Sequence, residues 1–466
     1  MKKFIGDKKF YTHLFAIVIP IVLQQFITQF VSLIDNLMIG QIGSSEMTGV
    51  SLANQLLFVF NLGVFGSLSG ASIFASQYFG AKDKEGYLET FRFKWLLGIF
   101  IFVLTTFIFV LFKNQLLSFF INSNATDTTN PEVVLHTGVD YLLIMLIGNI
   151  PFIIKEIYAT SLREMKETFV PMLSGIVAIL VNLVFNYFLI FGKMGFPALG
   201  AIGAAIATVI SRFVEMMIVV TYTYIKIKKY DFFKGAYRKM IRVQSIKKFL
   251  PKTILLLSNE LLWSLGLTFI LSCYALRGLD VVASFNIANT VTNVFLTIGT
   301  SLGNATAIIL GLKLGEKDIK GAKEDSYKIL AFAFVISILF TLIMIGCSYI
   351  LPKIYNTSDT IQEMAKYLII ISALFLPVNA FNTCCYFTLR AGGRVILTIL
   401  FDSLFVILVR LPLAFILSKY TTMSIYLVHF IVYGIDTIKI FIGYYFIHKG
   451  IWLKTCLLYT SDAADD

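Results

Sequence analysis

Charge is what this chain has least of. Asp, Glu, Lys and Arg make up 14% of its 466 residues, where a soluble domain carries about 25%. That shortage excludes an ordinary soluble globule and a disordered tail alike. Cysteine and histidine are scarce too, at five and four residues. Cys273, Cys347, Cys384, Cys385 and Cys456 have no metal-ligand spacing and four lie in apolar stretches, so they read as small, adaptable packing residues. There is no Walker-type phosphate loop, no His/Glu zinc motif and no credible nucleophile elbow. The expectation is therefore no enzyme and no cofactor, and any transport would be secondary and ion-driven. A cleavable signal peptide is not expected either, because the first apolar run is too long and lacks a small-residue cleavage site.

What the chain does have is apolar length. Hydrophobic residues are 58% of it. They recur in runs of about 20, each long enough to cross a hydrocarbon core of about 30 Å as a helix. The net charge of +12 would point to nucleic acid in a soluble chain. Here the basic residues fall between apolar runs, so topology accounts for the excess and no nucleic-acid partner is expected. The reading is an all-α polytopic membrane protein with twelve transmembrane helices, the first from about residue 12 and the last ending near 447.

Loop charge tests that number. The even-numbered connections carry Lys82, Lys84, Arg92 and Lys94; Arg163 and Lys166; a central cluster; Lys313, Lys317, Lys320 and Lys323; and Arg390 with Arg394. The central cluster holds ten basic residues between Lys226 and Lys252 against the single acid Asp231. The odd-numbered connections carry one basic residue each: Lys113, Lys193, Arg277, Lys353 and Lys419. An alternation without exception puts both termini in the cytoplasm of a multi-pass protein of the cell membrane.

The two halves repeat. Ser51-Leu-Ala-Asn54 is followed 26 residues later by Gly80 in Tyr78-Phe-Gly-Ala-Lys-Asp83. Asn286-Ile-Ala-Asn289 is followed 26 residues later by Gly315 in Leu314-Gly-Glu-Lys-Asp318. Pro20 and Pro251 sit near the starts of the first and seventh spans, Tyr141 precedes Pro151 by ten residues as Tyr367 precedes Pro377, and Ser161-Leu-Arg163 answers Thr388-Leu-Arg390. An even number of helices per half gives copies of like orientation, related by an axis along the membrane normal, with a cavity between two pseudo-symmetric six-helix bundles. The expected organisation is a bundle over residues 1–225, a basic cytoplasmic linker over 226–248 and a second bundle over 249–454. Residues 455–466 look like a non-native tail and are set apart from the fold.

Ionisable groups inside spans cost a few kcal/mol or more, so each is a functional candidate. Asp35 lies towards the outer part of the first span and Glu260 well inside the seventh. Asn182 and Asn186, at i and i+4, share one face of the fifth span, and Thr208 on the sixth can join them. A carboxylate with neighbouring amide and hydroxyl oxygens suits Na⁺, since hard cations take oxygen ligands; a desolvated carboxylate can exchange a proton instead. Interhelical hydrogen bonding alone is the competing account of the asparagines. Other charges read as structure: Lys155 and Glu156 point to different sides of their helix, Arg212 and Glu215 neutralise each other, Asp402 pairs with Arg410, and Asp436 with Lys439. His429 reads as a hydrogen-bonded intramembrane residue. Aromatic residues are lipid-facing bulk and interfacial belt, with some suited to lining an apolar cavity for bulky organic cations.

These residues resemble a known family. Asp35-Asn-Leu-Met-Ile-Gly40, Gly70-Ala-Ser-Ile-Phe-Ala-Ser-Gln-Tyr-Phe-Gly-Ala81, Asn182-Leu-Val-Phe-Asn-Tyr-Phe-Leu-Ile-Phe-Gly192 and Gly203-Ala-Ala-Ile-Ala-Thr-Val209, with the duplication and the acidic seventh span, are similar to the multidrug and toxic compound extrusion (MATE) transporters over nearly all of Lys8 to Lys449. The resemblance implies a V-shaped pair of bundles and Na⁺- or H⁺-driven antiport of cationic amphipathic compounds by a monomer in the lipid bilayer. It also implies a cation site at Asp35, Asn182 and Thr208, with Asn186 where some members have a second carboxylate. In the second bundle it implies Glu260, with Asn379 where some members have Asp. A lipid-linked saccharide flippase of the same superfamily is the alternative, and a non-transporting scaffold or receptor a more distant one.

Overall fold

The computed structural model describes residues 4–124, 130–225, 233, 235, 239–355 and 357–457, with backbone alone at 30–33, 36, 37, 44, 119–124 and 279. Nearly all of the described chain is helix. In order the spans are α1 (Lys8–Gly40), α2 (Ser44–Gly80), α3 (Lys84–Asn124), α4 (Pro131–Glu164), α5 (Phe169–Phe191), α6 (Gly200–Ile225), α7 (Val243–Ala275), α8 (Leu279–Gly315) and α9 (Ile319–Ser348). The bent pair Asp359–Leu374 and Leu376–Ala391 forms α10, followed by α11 (Val395–Tyr420) and α12 (Ile425–Lys449). Among the described residues, eleven helices are long and apolar enough to cross a membrane, and the bent pair, taken as one span, makes a twelfth. The chain is a polytopic helical membrane protein. Ile99, Phe100, Val103 and Phe107 of α3 are exposed, as a helix facing lipid requires, because hydrocarbon makes no demand that apolar side chains turn inward.

The helix ends follow local chemistry. Asn130 caps α4 by accepting from the Glu132 N–H, with Pro131 at the first helical position where its missing N–H costs nothing. Ser358, Ser424 and Asp318 cap α10, α12 and α9 in the same way. Gly192 ends α5 in the left-handed region at φ +66°. Pro151 is carried inside α4, whereas α10 bends by 48° just before Pro377, where proline removes a backbone donor and crowds the preceding turn. In α11 the helix breaks at Asp402 (φ −108°, ψ −85°) and runs through a π-turn at Val406–Arg410.

Two connections repeat bond for bond. After α2, the N–H groups of Ala81, Lys82 and Asp83 donate to the carbonyls of Gln77, Phe79 and Tyr78 at 2.9, 3.1 and 2.9 Å. After α8, Glu316, Lys317 and Asp318 donate to Leu312, Leu314 and Lys313 at 2.9, 3.2 and 2.9 Å. Lys82 and Lys317 both take φ near +60°, at +57° and +61°, a region non-glycine residues seldom occupy. After α4, Lys166 and Glu167 donate to Arg163 and Leu162 at 3.0 and 2.9 Å; after α10, Gly393 and Arg394 donate to Arg390 and Leu389 at 2.8 and 3.1 Å.

The chain divides into two compact units, residues 23–75 with 84–253, and residues 1–22 with 76–83 and 254–466. This differs from the expected division at 225 and 249. α7 begins at Val243, so the linker's last residues are helical, and α1, α2 and α7 each continue from one unit into the other. Leu14, Ile17, Val18 and Ile21 of α1 belong to the apolar core around Tyr274, Phe285 and Leu302 of the second unit. Lys226, Lys228, Lys229, Lys234 and Arg238 of the central cluster lie outside the described residues, as do 458–466 of the tail. Residues 455–457 do not stand apart: Cys456 is buried, and its N–H donates to Gln77 Oε1 at 2.7 Å.

Arg92 and Lys94, read above as loop charges, are inside α3, because that helix already starts at Lys84. Both are buried and paired: Arg92 with Glu89 at 2.7 Å and Lys94 with Glu164 at 2.7 Å. Small residues set the spacing of α5 and α6. A Cβ on Gly203 would stand 2.5 Å from the Leu189 carbonyl oxygen, and the buried Ala201, Ala204, Ala205 and Ala207 flank it. Membrane helices without side-chain bulk at the seam approach closely enough for dense backbone packing.

Candidate functional site

In the first unit α1, α5 and α6 bring four of the expected residues together. Asn186 Nδ2 donates to Asp35 Oδ1 at 2.6 Å. The one-turn spacing of the two asparagines sets their carboxamides 3.1 Å apart. The Asn182 carboxamide also lies 3.2 Å from Thr208 Oγ1 and 3.0 Å from Asp35 Oδ1. A half-turn of that amide exchanges the N–H and the oxygen it presents to the carboxylate, so the cluster can offer a donor to a bare carboxylate or an oxygen to a cation. The Asn186 Oδ1 is buried and has no donor among the described residues. Tyr141 joins from α4: it is buried, and its hydroxyl reaches Asn54 and Thr208. In the sequence it was only a marker of the repeat, and its ten-residue offset from Pro151 was the signal that it had a fixed place.

The surrounding charges pair across helices rather than along them. Arg212 does not pair with Glu215: its Nη1 donates to Asn149 Oδ1 at 2.9 Å and its guanidinium lies 4.9 Å from the Phe152 ring centre. Glu215 instead lies 3.6 Å from Lys155. Nor do Lys155 and Glu156 point apart, since Lys155 Nζ donates to Glu156 Oε1 at 2.5 Å. Their Cβ atoms diverge by about 100°, but two long side chains can curl round the helix and meet when burial makes an unpaired charge expensive.

In the second unit Glu260 accepts from the Tyr386 hydroxyl at 3.0 Å and lies 4.0 Å from Arg390 Nη1. Asn379 does not join it. Seven residues before Tyr386 on α10, it stands about 10 Å away along the axis, and no hydrogen bond links it to Glu260 among the described residues. The residues that do gather are Asn259, whose Nδ2 donates to Tyr386 Oη at 3.3 Å and to Asp402 Oδ2 at 3.1 Å, and Lys439, 3.9 Å from Asp402. The expected pairings of Asp402 with Arg410 and of Asp436 with Lys439 are exchanged. Arg410 binds Asp436 at 3.3 Å and lies over Tyr433, leaving Lys439 to Asp402. His429 is buried and hydrogen-bonded to Ser372 at 3.0 Å, in agreement with its structural reading.

Among the described residues, twelve apolar spans, a duplicated connection pattern and half-buried carboxylates on α1, α7 and α11 are the features of a membrane transporter. The MatE family model matches residues 20–188 and 255–416, and the chain belongs to that family. Its curated relatives include the probable multidrug resistance proteins NorM of Haemophilus ducreyi (26% identical over 376 residues; 78% of this chain and 76% of that one) and Thermotoga maritima (24% over 411; 87% and 85%). Among solved structures, an outward-facing multidrug resistance MATE family transporter superposes with a TM-score of 0.83 at 17% identity, over 96% of this chain and 98% of its own. A MOP superfamily transporter from Pyrococcus furiosus, described by a binding pocket of reversed polarity, gives 0.82 at 17% over 97% and 98%. These superpositions establish the fold.

Proposed function

We propose that this protein is a secondary antiporter of the cell membrane that exports cationic amphipathic organic compounds in exchange for Na⁺ or H⁺ by alternating access, with both termini in the cytoplasm. The observation that carries the reading is the Asp35 cluster: one carboxylate, two carboxamides and a hydroxyl converge within hydrogen-bond distance of one another. Oxygen donors of this kind suit a hard monovalent cation, and the same carboxylate suits a proton. An ion moves a conformational equilibrium only through unequal affinity for its states, and a site assembled from three different helices loses its ligands when those helices shift. The relatives named for multidrug resistance support the choice of cargo.

The test is ethidium efflux from inverted vesicles with Na⁺ and pH gradients imposed separately, for wild type, Asp35→Asn and Glu260→Gln. One gradient is expected to drive wild-type efflux and Asp35→Asn to lose at least tenfold of the rate at equal expression. Wild type that moves no member of a broad cation panel under either gradient ends the proposal and makes the flippase the working hypothesis.

A further inference from the structure

The second unit carries an apolar groove towards the end where α9 begins and α12 finishes. It holds about 340 Å³, within the range of about 300–1,000 Å³ that ligand sites occupy. One wall is a single face of α9 from Tyr327 through Ala331 to Val335, at i, i+4 and i+8. The facing wall is Ile440 and Tyr444 of α12, and Phe4 lies over one end with its ring 5.8 Å from that of Tyr327. All of these residues belong to the same unit. Tyr327 is fully buried at the floor and Val335 is 65% exposed at the rim, so one side is open. Ala331 leaves the space, because a methyl stands where a larger side chain would fill it. Atoms that line an empty gap forfeit their dispersion contacts, and within hydrocarbon the molecules at hand to fill it are lipid chains rather than water. From Tyr327 to Val335 the wall runs about 12 Å, close to the roughly 15 Å half-thickness of a hydrocarbon core.

The end under Phe4 is polar and basic. Tyr327 Oη and His448 Nδ1 lie 3.1 Å apart, and the His448 and Tyr444 rings stack at 5.8 Å, so the two apolar walls finish in one shared contact. Lys323 on α9 and Lys449 on α12 stand just beyond it. Lys323 Nζ is 3.9 Å from the place a Cβ on Gly450 would take, which sets it at the end of α12 beside Lys449. Other cations of α9 and its approach are already committed: Lys313 and Lys328 both hold Asp325, at 2.6 and 3.2 Å. Lys323 and Lys449 make no ion pair among the described residues, not even with Glu324. Lys449 Nζ rests 5.5 Å from the Tyr445 ring centre, a contact that does not consume its charge. Two ammonium groups at the mouth of an apolar slot match a phosphate that carries a hydrocarbon chain. They repel organic cations of the kind proposed above as cargo.

We propose that this groove binds one acyl chain of an anionic phospholipid, with the lipid's phosphate between Lys323 and Lys449. The chain lies along Ala331 and under Phe4, so the bound lipid packs the segment ahead of α1 against α9 and α12. This goes beyond the exchange proposed above and does not depend on it; only the leaflet, the cytoplasmic one, follows from the orientation given there. A phosphatidylcholine offers the same chain but sets its own quaternary ammonium against the two lysines. The headgroup therefore supplies the selectivity and the chain supplies the contact area.

The test is native mass spectrometry of the purified full-length chain in micelles, titrated with dioleoyl phosphatidylglycerol and, separately, with dioleoyl phosphatidylcholine. The first phosphatidylglycerol is expected to bind at least fivefold more tightly than the first phosphatidylcholine, about 1 kcal/mol. Lys323→Gln combined with Lys449→Gln should bring the two lipids to about the same affinity. Ala331→Trp, which fills the slot, should weaken phosphatidylglycerol by a similar factor. Equal affinity of the wild type for both lipids overturns the anionic ligand, and selectivity that survives the paired lysine substitution overturns the phosphate contact. Unchanged phosphatidylglycerol binding in monodisperse Ala331→Trp overturns the groove, and the lysine arm does not depend on whether that variant folds. Glycerol 3-phosphate, which has the charge without the chains, should fail to displace the lipid; displacement overturns the chain's part and leaves a site for free phosphate. Displacement by ethidium overturns the lipid in favour of cargo.

Discussion

The Lys94–Glu164 pair offers the sharpest test of how charge is stored in this fold. Lys94 is wholly buried and Glu164 nearly so, at 0% and 4% side-chain exposure and 2.7 Å apart. The ammonium also donates to Ser161 Oγ at 3.1 Å and Thr160 Oγ1 at 3.2 Å, so all three of its protons have partners. Deleting one member of such a pair leaves the other charge buried and uncompensated, at a cost of about 3–5 kcal/mol, whereas replacing both by apolar groups is often neutral. For a unit of this size each kcal/mol moves the unfolding midpoint by about 2–4 °C. Lys94→Met and Glu164→Leu should then each lower the apparent Tm by roughly 6–20 °C, and the double substitution should recover more than half of the loss. The assay is loss of the monodisperse size-exclusion peak after heating in detergent, with ethidium efflux per folded molecule as a control expected to stay near wild type. Losses that simply add in the double mutant would refute the reasoning, since independent contributions mean the two charges do not compensate each other.

Further outcomes follow from other contacts. Gly203→Ala drives a Cβ into the Leu189 carbonyl and should lower the apparent Tm, whereas Gly63→Ala, with nothing within 4 Å, should leave it unchanged or raised; the same heating assay decides. Asn379→Ala should keep efflux within about twofold of wild type while Tyr386→Phe, which removes the hydroxyl shared by Glu260 and Asn259, should cut it several-fold under the driving gradient (about 1 kcal/mol for a lost buried hydrogen bond). Gly393→Ala places a side chain at φ +66° and should destabilise by about 1 kcal/mol, read as a fall of a few degrees in the same midpoint.

The spans were legible because a lipid-crossing helix needs only length and apolarity, and both are written locally. The Asp35 cluster was legible for a similar reason: Asn182 and Asn186 lie one turn apart, so their common face did not depend on the fold. Charge pairing was not legible. Asp402 and Arg410 are eight residues apart, about 12 Å along a regular helix, and only the break at Asp402 and the following π-turn decide which neighbour each meets. Glu215 chose Lys155 across the α4–α6 seam over Arg212 on its own helix, a preference set by tertiary packing. Helix ends were misjudged where charge was taken as proof of a loop. Arg92 and Lys94 are helical because Glu89 and Glu164 neutralise them, and no spacing within α3 announces Glu164.

The two connections that repeat hydrogen bond for hydrogen bond carry a consequence of another kind. Each closes its helix with a 6→1 backbone bond and a lysine in the left-handed region, at φ +57° after α2 and +61° after α8. Such a turn is specified by backbone geometry and places no demand on the side chains inside the helices it ends. The two halves can therefore share their connections and differ in their interiors: one holds Asp35 among carboxamides and a hydroxyl, and the other holds Glu260 beside a tyrosine and an arginine.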